Sequence, residues 1–600
     1  VTTLTVSNKE YYNGDADNYY RLAQHSEVGS TLKGKDDVTL VAKKDVRIRQ
    51  SNIGSEKGNV LIGSQQGDIQ VEAGREEEQL ASASKSVSRG RFGLSKTTEI
   101  RRHEHDIAQS VSSNIDGKTV NLIAGQGNVT VQGSNAVGEN GLTVQAKNID
   151  IKEAENKVYS EDFHSKKKSG VLGGGLGVTF GAQKQTLESD KTKFYAQGSQ
   201  VGSLNGNTTL IAKNHYTQTA SQVSAVNGDV NILAKNVDIK AADDKYETNT
   251  KQTFEQKGVT LAVTSPILSA LQAVQGTVKS VERVGQSKND RVNAMAAANS
   301  AMDAYRAGQA VGQAGKAMQE AMENGSVDSV VGVQVTYGQQ KSESRTHTEG
   351  KPAAKSQVNA GGKVNIVATG AGKASNITIQ GSDVSGKQGT FLEADNDINI
   401  TAAEQTHKER STNKSSGFNA GVAMKVSNGA AVGATLGGNY GKGYGNGDET
   451  TYVASHVGDS QSKTVIQAGG DANIIGSQVK GKRVEVNAQN LNIESLQDTA
   501  TYKGKQMNGS GSVTVGYGVS AGGSFNKSKV NADHASVNEQ AGIYAGDEGY
   551  DINVNHTDLK GGLITSTQKA EDEGKNRFST GTITHSDIEN HSNYSGSSFG

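Results

Sequence analysis

The chain has 600 residues, of which 33% are hydrophobic and 5% aromatic, with 74 glycines, no tryptophan and a formal net charge of −1. This composition argues against a thick core of large side chains and favours a thin core that repeats along an axis. The near-zero charge offers no global attraction to nucleic acid, and the lack of cysteine excludes disulfides and thiol chemistry.

Short pairs of strand-like segments recur along the chain. Within each pair apolar and polar residues alternate, which predicts strands with one buried and one exposed face, and Gly, Asn or Asp supply the turns between pairs. The expected buried positions are Val60, Ile62, Ile69, Val71, Val120, Leu122, Val230, Ile232, Val237, Ile239, Ile398, Ile400, Val484, Val486, Leu491 and Ile493.

The pairs return roughly every 20 residues, which is too short for a domain. Stacked repeats of this length satisfy each other's backbone groups and bury one apolar column, so we predict an all-β fold built on a parallel β-helix. We expect about 15–20 rungs and a shaft ~70–100 Å long. A row of antiparallel hairpins and a disordered chain are the alternatives.

The short repeats are grouped into a longer repeating unit. Charged segments such as Gly74–Gln79 and Glu155–Lys168 lead into glycine-rich alternating stretches such as Ser169–Ala182 and Gly509–Phe525. Because neither fits the rung pattern, we predict long β-hairpins that protrude from the shaft. These hairpins either fold back over the shaft or pair edge to edge, on or in a partner's outer membrane. The candidate membrane or partner hairpin carries Val513, Val515, Tyr517 and Val519.

One segment departs from the β pattern, from about residue 265 to residue 325. Ser265 and Pro266 form a good helix start, and apolar residues then recur at three- and four-residue steps. We therefore predict an αα-hairpin over 265–325, between β-helix repeats over 1–264 and 326–600. Its apolar face, with Met295, Met302 and Tyr305, packs on the shaft or binds a partner or membrane surface.

The rung segments Gly58–Gly74 and Gly228–Ala242, with the charged approaches and glycine-rich hairpins, resemble the haemagglutinin repeats of filamentous haemagglutinin-like exoproteins. The resemblance runs from about Val38 to the end and is to the second repeat region of large two-partner secretion proteins, including contact-dependent growth inhibition effectors. It implies a right-handed β-helical filament, secreted through a dedicated outer-membrane transporter and displayed on a Gram-negative cell. The family's N-terminal secretion domain and toxin domain are not recognised in this sequence, and we expect the chain to be part of a longer protein.

Few residues suggest a catalytic, metal-binding or ligand-binding site. Lys166, Lys167 and Lys168 are candidate contacts for a partner or glycan, although a solvated hairpin base explains them too. His103 and His105 share a strand face, but no third ligand is identified, so no metal site is predicted. A polysaccharide-active β-helix enzyme needs carboxylates clustered at one level, whereas the acidic residues here collect at the hairpin bases.

We therefore expect a non-enzymatic structural and adhesive segment of a secreted cell-surface filament that contacts host or neighbouring bacterial cells. The alternative is a region that associates with an outer membrane and helps deliver a C-terminal toxin. The expected partners are the secretion transporter, a cell-surface receptor or glycan and, in the alternative, a target outer membrane. No cofactor and no nucleic-acid partner is expected.

Overall fold

The computed structural model describes residues 1, 3–90, 93, 95–173, 178–261, 335–426, 430–516 and 519–599. Its strands, numbered β1 to β48 in chain order, form the three faces of a parallel β-helical shaft and one antiparallel sheet beside it. The prediction of a parallel β-helix with protruding hairpins is confirmed.

The first face of the shaft is a parallel sheet of twelve strands, one from each rung of the described residues. These strands are β3 (Thr31–Gly34), β6 (Asn52–Ser55), β11 (Asn114–Gly117), β14 (Asn135–Gly138), β19 (Gln200–Ser203), β22 (Gln222–Ala225), β29 (Gln357–Ala360), β32 (Asp383–Gly386), β37 (His456–Val457), β40 (Gln478–Gly481), β44 (Gly542–Ala545) and β46 (Leu563–Thr565).

The other two faces share a 21-stranded parallel sheet, because its last three long strands serve both faces. The second face holds β4 (Val38–Ala42), β7 (Val60–Ser64), β12 (Val120–Ala124), β15 (Leu142–Ala146), β20 (Thr208–Ala212), β23 (Val230–Ala234), β30 (Lys363–Ala368), β33 (Gly389–Ala394) and β38 (Lys463–Ala468). The third holds β5 (Val46–Arg49), β8 (Ile69–Glu72), β13 (Val129–Gln132), β16 (Ile149–Lys152), β21 (His215–Thr219), β24 (Asn236–Lys240), β31 (Ile377–Gln380), β34 (Ile398–Thr401) and β39 (Ala472–Ile475). The shared strands are β41 (Arg483–Glu494), β45 (Tyr550–Lys560) and β47 (Arg577–Ser586).

A single apolar column runs through the shaft. All sixteen positions that the alternating pattern predicted to be buried are buried, and they belong to one cluster that extends from Val38 to Val554. Residues at the same level pair in register, as Val120 does with Val60 on one side and Leu142 on the other. The core is therefore one residue layer thick on each face, as the low content of large side chains requires.

A ladder of serines, buried from Ser51 onward, marks the corner where ten of the twelve described rungs begin. The backbone N–H of each serine except the last donates to the Oγ of the serine one rung further along the axis, at 3.0–3.3 Å. The ladder is formed by Ser30, Ser51, Ser113, Ser134, Ser199, Ser221, Ser356, Ser382, Ser455 and Ser477. From Ser51 onward each hydroxyl also donates to a backbone carbonyl, so these buried groups are satisfied in both directions.

The antiparallel sheet has thirteen strands, which are the arms of six hairpins followed by one single arm. The arms are β1 (Leu4–Asp15), β2 (Asn18–Val28), β9 (Gly74–Arg89), β10 (Ser95–Val111), β17 (Ala154–Gly173), β18 (Val178–Gln197), β26 (Lys245–Leu261), β27 (Val335–Lys351), β35 (Ala403–Val426), β36 (Ala430–Val453), β42 (Gln497–Gly516), β43 (Val519–Val537) and β48 (His591–Phe599). Each hairpin pairs edge to edge with the next, as β10 does with β17.

The hairpins and the rungs advance at the same rate. Two rungs separate each hairpin from the next, and each hairpin adds two strands to the sheet. Because strands in both kinds of sheet lie ~4.8 Å apart, the shaft and the hairpin sheet both advance by about 10 Å per unit. A unit of two rungs and one hairpin is therefore the structural repeat of the molecule.

Some expectations need correction or stay open. The described residues hold twelve rungs, a shaft of ~53 Å, fewer and shorter than expected because hairpin arms and connections take more of the chain. The predicted helical insertion at 265–325, with Met295, Met302 and Tyr305, lies outside the described residues, so the domain division stays a prediction. The remaining described elements are the short pair β25 (Ala242–Asp243) and β28 (Ala353–Ala354), a 3-10 turn (Gly372–Ala374) and the helix α1 (Gln568–Asp572).

Candidate interaction surface on the hairpin sheet

The register of the hairpin sheet separates its residues onto two faces. Directly paired residues of neighbouring antiparallel strands point to the same face. We call the face that carries Val513 the front face and the opposite one the back face, and we call the end of the arms nearest the turns the distal end.

A row of apolar residues crosses the distal end of the front face. It contains Val171, Phe180, Val259, Tyr337, Ala420, Leu436, Val513 and Ala521, from eight consecutive arms. Its large side chains are solvent-exposed, by 60% for Phe180, 59% for Tyr337 and 66% for Leu436. Isolated exposed apolar residues are ordinary, but a row held in register over eight strands forms a contiguous patch, which marks a contact surface.

The next front-face row towards the turns continues the apolar sequence. Backbone pairing aligns Leu261, Val335, Val422, Ala434, Val515 and Val519 across six of the same arms. Two consecutive rows with no polar residue therefore occupy this end of the front face.

The back face has the opposite character at the same level. Backbone pairing aligns Thr260, Thr336, Gly421, Thr435, Thr514 and Ser520 between the two apolar rows, and Gly170, Gly181, Gly258, Gly338, Asn419, Gly437, Ser512 and Gly522 in the row below. The sequence at these back-face levels is therefore threonine, serine, asparagine and glycine, in contrast to the apolar rows.

Only some of the predicted site residues lie on the front face of the hairpin sheet. Val513 and Val515 lie on the front face and are 44% and 54% exposed, and Val519 pairs with Val515. Tyr517 lies outside the described residues. Strand alternation places Lys167 on the front face opposite Lys184 and places Lys166 and Lys168 on the back face, so the three lysines do not form one patch.

Sequence reasoning missed the rest of the apolar row, notably Val259, Tyr337 and Leu436. Their alignment depends on pairing between arms that are tens of residues apart, which no local pattern reports. One signal was available: each of these residues is adjacent to a glycine, Gly258, Gly338 or Gly437, and those glycines themselves lie in one row on the back face.

A histidine pair lies nearer the base of the second and third hairpins. His103 Nδ1 is 2.7 Å from Asp162, His103 Nε2 is 3.2 Å from His105 Nδ1, and His105 Nε2 is 2.8 Å from Glu78. Hydrogen bonds from Gln24 and then His105 lower the pKa of Glu78. In the described part of the chain no three His, Asp or Glu side chains are grouped as metal ligands.

A charged network lies on the first face of the shaft. His456 contacts Asp383 through Nδ1 and Glu539 through Nε2, both at 2.9 Å, and the Lys355 ammonium donates to Asp383 at 3.0 Å. Burial on its own would lower the pKa of His456, but the hydrogen bonds to Asp383 and Glu539 outweigh it and raise that pKa. Because both ring nitrogens face carboxylates, the imidazolium form fits this position.

None of the helices in the described ranges is long and apolar enough to cross a bilayer.

Comparison with known proteins identifies the family to which these rungs and hairpins belong. The model of the hemagglutinin repeat family matches residues 18–102, 94–258 and 335–509, which cover most of the rungs and hairpins. The chain belongs to the hemagglutinin repeat family. The matched ranges include hairpin arms as well as the rungs between them.

Relatives of the hemagglutinin repeat chain are about one third identical to it over the aligned residues. A tRNA nuclease CdiA of Yersinia mollaretii is 31% identical over 89% of this chain and 18% of that protein. A 16S rRNA endonuclease CdiA of Enterobacter cloacae is 33% identical over 88% of this chain and 16% of that protein. A deoxyribonuclease CdiA of Yersinia pseudotuberculosis is 32% identical over 77% of this chain and 42% of that protein.

The hemagglutinin repeat chain spans less than a fifth of the first of these relatives. No solved structure matches it.

Proposed function

We propose that this chain is a structural and adhesive segment of a secreted filament on the surface of a Gram-negative bacterium, where it contacts host or neighbouring bacterial cells. The observation that carries the proposal is the unit of two rungs and one hairpin. Each unit extends the same shaft and the same sheet, so the segment grows in length without forming a closed globule. Such a body holds other parts of its protein away from the cell and offers a long contact surface.

The names of the relatives support a role that is independent of their cargo. They are described as nucleases for tRNA, for 16S rRNA and for DNA, yet each shares about the same identity with this chain. A segment common to proteins with three different nucleic-acid substrates does not specify the substrate. We therefore propose that this segment is non-enzymatic and does not itself bind nucleic acid.

The partners follow from the family. We propose export through an outer-membrane two-partner secretion transporter and contact with a receptor or glycan on another cell. A toxin carried elsewhere in the same protein would be presented by this segment to neighbouring bacteria.

A second candidate function is association of the hairpin sheet with the outer membrane of a target cell, as a step in toxin delivery. The two apolar rows of the front face favour it, because exposed Phe180, Tyr337 and Leu436 would contact lipid. Flotation of the purified chain with liposomes tests this candidate. Failure to float with any lipid composition would rule it out.

Deletion in the full-length parent tests the main proposal. A strain that carries an in-frame deletion of residues 31–586 is compared with its parent for surface display, cell–cell aggregation and growth competition. We expect aggregation and competition to fall together while display of the upstream part persists. Loss of competition with full aggregation would favour the delivery role, and unchanged aggregation and competition would reject both.

A further inference from the structure

The fifth and sixth hairpins carry lysines beneath the apolar rows. Four segments lie side by side there, at 412–422, 434–444, 505–515 and 519–529, in β35, β36, β42 and β43. Together they contain five charged residues, all lysines, and all five lie on the front face. This lysine patch consists of Lys414, Lys442, Lys505, Lys527 and Lys529.

The lysine patch places like charges against each other. Lys414 pairs directly with Lys442, and Lys505 pairs directly with Lys529. Directly opposed residues of an antiparallel pair have Cβ atoms only about 5 Å apart, so like charges at these positions destabilise the sheet. All five side chains are exposed, and the four segments contain no acidic residue, although Glu343 of the neighbouring arm β27 pairs directly with Lys414. Lys505 and Lys529 have Tyr444 and Ser597 on their other sides, so this pair has no acidic residue opposite it. The excess of positive charge favours an anionic ligand at the lysine patch.

Aromatic residues lie between the lysine patch and the apolar rows. Phe418 lies one front-face row below Leu436 and Val513, Tyr440 and Phe525 lie in the next row, and the lysine patch begins one row further. Glycines at 438, 511 and 523 leave an open groove bordered by Phe418, Leu436 and Val513. Along β35, β36 and β43 the order is apolar, aromatic, cationic, whereas along β42 no aromatic residue lies between Val513 and Lys505.

The distance along the arms over which these rows extend is comparable to the thickness of one leaflet of a bilayer. At about 3.4 Å per residue, the six residues from the Tyr440 row to the Val515 row span ~20 Å, and the lysine patch begins ~7 Å below the aromatic row. A hydrocarbon core is about 30 Å thick, and aromatic residues collect at its boundary with the headgroups. Lysine side chains can extend their ammonium groups from that boundary to phosphates.

The back face of the same four segments carries no charge. Its rows contain only Gly, Ser, Thr, Asn and Gln. The asymmetry identifies the front face as the contacting side, because every apolar, aromatic and charged side chain of these segments is on it.

We infer that the front face of β35, β36, β42 and β43 docks onto a lipid surface whose headgroups carry phosphate and net negative charge. The lysine patch binds the phosphates, and Phe418, Leu436 and Val513 enter the apolar region beside them. The inference rests on the proposed membrane association and adds to it the side of contact, the hairpins involved and the charge of the lipid. A soluble polyanion would satisfy the lysines but would leave the apolar rows in water, so the lipid surface accounts for more of the face.

The test uses the whole 600-residue chain and vesicles of defined charge. Partitioning is measured onto phosphatidylcholine vesicles and onto vesicles with roughly 30% phosphatidylglycerol, where each lysine near the surface strengthens binding several-fold. The variant K442Q/K505Q/K529Q is compared with K43Q/K373Q/K387Q, which removes three exposed lysines of the shaft. A third variant, L436S/V513S, removes apolar contact and keeps the lysine patch.

The inference predicts strong partitioning onto anionic vesicles only, reduced on the order of 100-fold by the patch variant and little by the shaft variant. High salt weakens the partitioning onto anionic vesicles. L436S/V513S reduces it as well, and soluble dextran sulfate binds more weakly than the vesicles. The patch variant is at least as heat-stable as the parent, because the lysine–lysine pairs are gone.

Three results would overturn the inference. Equal partitioning onto neutral vesicles would keep membrane association and reject charge recognition. An unchanged patch variant would reject the assigned face. Dextran sulfate binding that matches the vesicles and ignores L436S/V513S would replace the lipid surface with a soluble polyanion.

Discussion

The backbone N–H of Ser134 donates to Oγ of Ser199 at 3.1 Å, although the two serines are 65 residues apart in sequence. They occupy the same corner of neighbouring rungs, and the third hairpin extends between them. The serine ladder therefore continues across the second to fifth hairpins and keeps those rungs aligned while the chain leaves the shaft and returns.

Replacing one member of this ladder should destabilise the shaft. In Ser199→Ala the buried N–H of Ser134 loses its acceptor, and the carbonyl groups of Lys152 and Val131 lose a donor. Leaving such buried groups unpaired costs about 1–3 kcal/mol, which urea unfolding measures. Ser88→Ala, an exposed serine of a hairpin arm, is the control and should change stability little. Equal stability of the two variants would show that the ladder contributes nothing.

The glycine row of the back face should tolerate substitution only where space exists. A Cβ at Gly258, which has φ +136°, would lie 2.2 Å from the carbonyl oxygen of Phe180, whereas nothing lies within 4 Å of one at Gly522. Gly258→Ala should therefore open the distal pairing of β18 with β26, seen as faster amide hydrogen exchange in those arms. Gly522→Ala should leave exchange unchanged. Similar protection in both variants would contradict the close packing of this row.

Whether a deletion is tolerated should depend on whether it removes a whole unit of two rungs and one hairpin, and not on the number of residues removed. Removing 114–199 takes out two rungs and one hairpin and joins Ser113 to Gln200, so β10 meets β26 as β18 did. Removing only 114–134 takes out one rung and leaves β10 and β17 a single rung apart. We expect the longer deletion to unfold cooperatively near the parent's midpoint and the shorter one to unfold earlier. The reverse order would mean that the two sheets do not advance together.

The His456 network should make stability depend on pH. A raised pKa means that protonation favours the folded state, so the contribution of His456 is complete below its unfolded value of about 6.5 and is lost as pH rises through the raised value. The free energy of unfolding should therefore fall on going from pH 6 to pH 9. His456→Gln should flatten that change, measured by urea titration at both pH values. A variant with the same pH profile as the parent would exclude this histidine as the cause.

The shaft was predictable from the sequence because its signals are local. Val120 and Leu122, or Val484 and Val486, alternate with polar neighbours within one strand, and that alternation identifies the buried face directly. The serine ladder was not predictable in this way, because its hydrogen bonds join serines of different rungs, such as Ser134 and Ser199.

The candidate site was predictable only in part. Val513 and Val515 were found by their alternation with small residues, but Leu436 and the lysine patch are defined by which arms lie side by side. That order depends on two rungs separating each hairpin from the next, a relation between distant segments. The net charge of −1 also conceals the patch, because acidic residues elsewhere balance it.

The most direct test measures the rise of the shaft. Val41 and Gln467 occupy equivalent exposed positions on the first and ninth rungs, and the chain has no cysteine to interfere with labelling. Spin labels at V41C and Q467C should give one narrow distance near 38 Å, eight steps of ~4.8 Å. A broad distribution, or a mean far from that value, would contradict a single shaft built of stacked rungs.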